Sequence, residues 1–214
     1  GQARDSALIN LSHEWAQTNP RAVAEFAAAL PPGNTQSSLF NAVANQWATV
    51  DPASALKWAQ ALPNQDASTQ AVEAALSVWA SDAPEAAAAF VAKLPAGPAR
   101  LDLIGSLASN WAQEDTEGAL KWAQQLPGAE QARAFPPLIT QMGVQDGAAA
   151  IALFEKVADR VAPEARESLA TQTAQQWLQQ DPVAARAWIT ASKLPEAVKQ
   201  QLLGELKPLL LPQK

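Results

Sequence analysis

Cysteine and tyrosine are absent from the 214 residues, and histidine and methionine occur once each. Without a thiol there is no disulfide, no thiolate nucleophile and no Cys-ligated metal. The same absence suits an oxidising and a reducing compartment equally, so the location stays open. His13 as a general base or metal ligand would need a carboxylate or further ligands placed beside it. Its neighbour Glu14 points elsewhere on a helix, and His13 reads as a solvated surface residue. Basic charge is scarce and scattered: 15 Lys and Arg stand against 21 Asp and Glu, a net charge of −6. A nucleic-acid backbone needs a basic stripe and is excluded as a partner. No apolar run approaches the roughly 18 residues that cross a bilayer. No G-x-S-x-G, P-loop, H-E-x-x-H or EF-hand pattern occurs, so no catalytic, metal or cofactor residues are assigned.

What is present is periodic. Trp15, Trp47, Trp79 and Trp111 are spaced 32 residues apart, Gly143 occupies the next slot, and Trp177 follows. Eleven residues after each comes an aromatic: Phe26, Trp58, Phe90, Trp122, Phe154, Trp188. With only 8 Trp and 5 Phe in the chain, this register marks one unit repeated six times. Alanine is nearly a quarter of the residues, and Leu, Gln and Glu are prominent, all good helix formers. No segment alternates as a strand does, which makes the chain all-α.

The aligned units share W-A-x-x-D-P, then an aromatic, then Leu-Pro. Asp51-Pro52 and Asp181-Pro182 read as an N-cap followed by an N1 proline, with Asn19-Pro20 and Asp115-Thr116 as variants and Asp82 as the cap before Pro84. A short helix of about ten residues then runs to Leu30, Leu62, Leu94, Leu126 or Leu194, where proline discourages its continuation. A longer helix starts near Thr35, Asp66, Pro98 or Pro163 and ends just past the tryptophan. Its apolar face, such as Leu39, Phe40, Val43, Ala44 and Trp47, or Leu103, Ile104, Leu107, Ala108 and Trp111, has helical spacing. A turn of two to four residues makes the pair antiparallel. Small residues at Ala22, Ser54, Ala86, Gly118, Ala150 and Ala184 would let a neighbouring helix approach. The fifth unit departs from the rule: Gly143 replaces Trp, a clean cap is missing, and Pro136-Pro137 interrupts the preceding helix. A shortened long helix and looser packing are expected there.

The expected fold is therefore an α-solenoid of about six helix-turn-helix repeats, near 4–31, 35–63, 67–95, 98–127, 129–158 and 163–195. A capping helix over 196–210 completes a single domain, 1–214. This array resembles the tetratricopeptide and HEAT-like solenoids in architecture. It lacks the tetratricopeptide W-x2-L-G-x2-Y pattern and is more similar to bacterial proteins carrying WAxxDPxxA and WAxxLP repeats. The resemblance implies a superhelix whose concave face binds protein or peptide.

One stripe on the long helices, opposite the tryptophan face, is a candidate for that surface. It reads Ser38, Asn41, Asn45, Thr49; Gln70, Glu73, Ser77, Ser81; Asp102, Gly105, Ser109, Gln113; and Ser168, Thr171, Gln175, Gln179. A solvated helix face usually carries many Lys, Glu and Arg, and this one has two charges. Short amides and hydroxyls suit a concave wall where extended backbone is hydrogen-bonded; they equally suit the inner lining of a tight superhelix with no ligand. The expected function is a non-enzymatic protein- or peptide-binding scaffold, with Ser38, Asn41, Asn45, Gln70, Glu73, Ser77, Asp102, Ser109 and Gln113 as partner-binding residues. Two alternatives remain: a structural subunit that stacks end to end through the apolar C-terminal helix with Leu209, Leu210 and Leu211, and an α/α toroid acting on carbohydrate. The toroid would need a cluster of acids in phase, and none is found. The repeated Asp51, Asp115 and Asp181 are read as helix caps.

Overall fold

The computed structural model describes residues 15–204, which are helix and short connections with no strand. Residues 15–18 are helical. After them come α1 (Pro20–Ala28), α2 (Asn34–Val50), α3 (Pro52–Gln60), α4 (Gln65–Asp82), α5 (Pro84–Val91) and α6 (Pro98–Glu114). The chain continues with α7 (Thr116–Gln125), α8 (Gly128–Gln145), α9 (Gly147–Val157), a 3-10 turn (Ala158–Arg160), α10 (Pro163–Gln180), α11 (Pro182–Ala191) and α12 (Glu196–Gly204). His13, the start of the first repeat and the Leu209–Leu211 end of the expected capping helix lie outside the described residues. The chain forms two compact units, Gly1–Asn110 and Trp111–Lys214.

Each long helix passes into the next short one through a single non-helical residue, not the two to four expected. This residue is Asn19, Asp51, Ala83, Asp115, Asp146 or Asp181, with φ between −150° and −139° and ψ between 72° and 96° throughout. It serves two helices at once. Its N–H donates to the carbonyl four residues back, on Trp15, Trp47, Trp79, Trp111, Met142 or Trp177, at 2.8–2.9 Å. Where it is Asn or Asp, its side-chain oxygen accepts from the amide three residues on, at 2.9–3.1 Å. Asp82 does not act as a cap: it is the last residue of α4, and Ala83 holds the corner without a side-chain bond. Pro84 explains this, because a following proline drives Ala83 out of the helical region by steric clash.

The short helices stop one to three residues before the expected leucines. Their last turn tightens instead: Leu30, Leu62, Leu94 and Leu126 each donate N–H to the carbonyl three residues back. A second device closes the same turn. Eleven residues before each tryptophan slot, in the first turn of the long helix, a side chain donates back to the end of the preceding short helix or to the connection after it. Gln36 reaches the Ala27 and Leu30 carbonyls at 3.0 and 2.9 Å, Ser68 that of Ala59 at 2.9 Å, and Arg100 that of Leu94 at 3.0 Å. Gln131 reaches the Gln124 carbonyl at 3.0 Å, and Arg166 those of Val161 and Asp159 at 2.9 and 3.1 Å.

Both devices correct the register of the fifth unit. The corner at Asp146 and the donor Gln131 place Met142, not Gly143, in the tryptophan slot. Only two residues, Leu126 and Pro127, separate α7 from α8, whereas four separate α3 from α4; α7 is one residue longer than α3, so the count drops by one there. Asp146 also supplies the cap that the sequence reading denied this unit, accepting from Ala149 N–H at 2.9 Å.

The expected shortening is likewise absent. α8 is 18 residues long, as α4 and α10 are, and carries Pro136 and Pro137 inside it. Two interior prolines forfeit two backbone bonds and crowd the preceding turn, about 3 kcal/mol or more each. Ala134, Phe135, Leu138 and Ile139, on either side of them, are all fully buried, so the layer is not loose and its burial holds the helix continuous.

In the first unit α1 packs on α2, α2 on α3 and α4, α3 on α4, and α4 on α5. In the second, α7 packs on α8, α8 on α9 and α10, α9 on α10, α10 on α11 and α12, and α11 on α12. The fully buried position on the short helices is Val23, Ala55, Ala87, Ala119, Ala150 or Ala185, every one 0% exposed. In five of the six units this is one residue beyond the small position read from sequence. The position before it carries a β-carbon in Ala22, Ser54, Ala86 and Ala184; at Gly118 one would lie 2.9 Å from Cγ of the capping Asp115 and 3.2 Å from Trp111 Nε1. In four of the units the 11-residue aromatic spacing is a ring contact within the corner. Trp15–Phe26, Trp47–Trp58, Trp79–Phe90 and Trp111–Trp122 have ring centroids 5.2–6.0 Å apart and tilted planes.

Candidate functional site

The long helices turn their polar side outward because the 3-4 spacing of apolar residues commits the opposite side to the core. Leu39, Phe40, Val43 and Ala44 on α2, and Leu103, Ile104 and Leu107 on α6, are buried. None of the sixteen stripe residues is. In the first unit the outward sides of α2, α4 and α6 enclose an open groove of about 630 Å³. Its lining is Asn41 and Asn45 from α2, Gln70, Glu73, Ala74 and Ser77 from α4, and Ser106, Ser109 and Asn110 from α6.

Six of the nine partner-binding residues expected from sequence are thus brought together: Asn41, Asn45, Gln70, Glu73, Ser77 and Ser109. Ser38 and Asp102 are exposed on the same helices but outside the lining, and Gln113 belongs to the second unit. Ala74, Ser106 and Asn110 were not anticipated. They flank the stripe by one helical position, and a groove between helices is walled by flanks as well as crests.

Chemically the groove is a set of neutral donors and acceptors. Asn41 Nδ2 donates to Gln70 Oε1 across α2 and α4 at 3.4 Å, and Ser77 Oγ donates to Asn110 Oδ1 across α4 and α6 at 3.4 Å. Asn45 Nδ2 donates to the Asn41 carbonyl at 3.0 Å. The two cross-helix bonds are long, so they hold neighbouring side chains together while remaining exchangeable. Glu73 is the single charged residue of the lining, one turn from both Gln70 and Ser77 on the middle helix. No imidazole or thiol lines the groove to make a nucleophile–base pair.

The second unit repeats the theme. Ser168, Thr171 and Gln175, the corresponding stripe on α10, line a depression of about 620 Å³ with Glu164, Glu167, Gln172 and Gln201. A further cleft of about 640 Å³ is lined by Phe154, Trp188, Ala158, Ala170 and Leu194 among others. Trp188 Nε1 donates to Glu155 Oε1 at 2.7 Å at its edge.

Among the described residues no group of three or more His, Asp or Glu side chains converges as a metal site, and no helix is long and apolar enough to cross a membrane. Comparison with family models, with curated proteins and with solved structures gave no match in any of the three.

Proposed function

We propose that this chain is a non-enzymatic scaffold: an α-solenoid of six tetratricopeptide-like hairpins and a capping helix that holds an extended segment of another protein along its polar stripe. One observation carries the reading. The neutral stripe is the lining of a groove in the first unit, and its counterpart on α10 lines a depression in the second. Amides and hydroxyls on adjacent helices offer donors and acceptors at intervals suited to a peptide backbone, with Glu73 the one charged side chain in the first groove and no Lys or Arg in either lining.

The test changes Asn41, Asn45, Gln70 and Ser77 together to Lys, with Gln60, Ala61, Ala89 and Ala92 to Lys as the control. The control residues are exposed at the ends of the short helices. Proteins captured from the native source by the parent chain are compared with those captured by each variant. The stripe variant is expected to lose them with helicity and melting temperature near the parent, while the control retains them. Equal capture by all three chains refutes the reading.

A further inference from the structure

The groove of the first unit combines two properties that together specify more than a generic peptide surface. Its walls are neutral: Asn41, Asn45, Gln70, Ser77, Ser106, Ser109 and Asn110 present amides and hydroxyls. Its middle helix carries one carboxylate, Glu73, with polar groups on both sides along α4 and facing helices on either flank. No lysine or arginine lines the groove to neutralise it. The chain as a whole carries a net charge of −6. Glu73 is exposed in an open groove, so its field acts at short range on a side chain placed directly opposite it.

We propose that this groove selects an extended segment bearing a basic side chain opposite Glu73, with the segment's backbone held by the amides of α2 and α6. The inference rests on the scaffold reading and adds the partner's chemistry to it. The neutral groups bind any backbone and supply affinity without sequence preference. Glu73 supplies the preference: it favours Arg or Lys at one position and repels Asp or Glu there. Because the carboxylate is exposed, its effect is modest and screened by salt.

The probe is a set of blocked decapeptides of Gly, Ser, Ala and Gln in which one central residue is Arg, Gln or Glu. Each is titrated into the whole isotope-labelled chain, and the side-chain amide resonances of Asn41, Asn45, Gln70 and Asn110 are followed. The Arg peptide is expected to bind about threefold to tenfold more tightly than the Glu peptide, with the Gln peptide between them and the spread narrowing as salt rises. In Glu73→Gln the spread between the three peptides collapses, and in Glu73→Lys the order inverts. A spread that persists in Glu73→Gln, or three equal affinities for the parent chain, overturns the basic-residue preference and leaves the scaffold reading standing. Absence of shifts at all four amides with every peptide overturns both.

Discussion

Single residues at the corners do two jobs, and their substitution separates the jobs. Asp51 donates its N–H to the Trp47 carbonyl and accepts at its carboxylate from Ser54. The Ser54 side-chain and backbone bonds together hold the Asp51 pKa below its ordinary value. A carboxylate with a depressed folded-state pKa stabilises the fold above its unfolded pKa, about 3.9, and that contribution is lost as pH falls through the lowered value. Exposure keeps it small. Asp51→Ala should therefore melt below the parent at pH 7 by an amount that shrinks towards zero as the pH is taken from about 5 to below 3, read from paired thermal melts. A difference that grows on acidification would contradict the assignment. Gly147 tests close approach in the same way. A β-carbon there would stand 2.6 Å from Trp177 Cα, a backbone atom that cannot swing aside. Gly147→Ala should destabilise by about 1–3 kcal/mol despite alanine's better helix propensity. Gly118→Ala, whose obstacle is the movable Asp115 carboxylate, should be milder in the same denaturant titration.

At the scale of the element, what could be read from sequence divides by how narrowly a position restricts residue identity. The tryptophan slot admits little else, so its 32-residue beat was visible and the core positions Leu39 to Trp47 and Leu103 to Trp111 followed from it. The donor eleven residues earlier admits any side chain with an N–H or O–H at the right reach, so Gln36, Ser68, Arg100, Gln131 and Arg166 look unrelated as letters. Only the shared bonds reveal the position, and with it the Met142 register. Pro136-Pro137 misled for the opposite reason: a strong local preference was overridden by the burial of Phe135, Leu138 and Ile139. The fifth unit is tied further by Gln180 of α10, which donates to the Gly143 carbonyl at 2.7 Å and accepts from Gly147 N–H at 2.8 Å. Amides in the second half of α8 should consequently exchange as slowly as those in α10, and Gln180→Ala should speed exchange selectively around residues 143–150. Fast exchange there in the parent chain would restore the idea of a weak layer. The groove was half legible: helical phase gave the outward crests, but which flanks wall it depends on how α2, α4 and α6 sit beside one another.

At the scale of the whole molecule, the aromatic beat does not make every tryptophan equal. Trp111 is 5% exposed and Trp15 42%, so Trp111→Ala should cost about 3–5 kcal/mol and Trp15→Ala far less in the same melts. Within the second unit the packing joins helices one or two apart in sequence, so stability there is a sum of neighbour interfaces and damage should stay near its origin. Ile189 is fully buried on α11 in a cluster with Ala174, Leu178, Ala185 and Leu202. Ile189→Ala removes most of that side chain, at about 2–5 kcal/mol. If interfaces act locally, hydrogen exchange in the variant rises across α10, α11 and α12, which share the cluster. It stays near the parent rate in α7, whose packing within the unit is on α8. An equal rise in α7 would mean that the second unit opens all at once, as a globular core does, and that its hairpins are not separable units of stability.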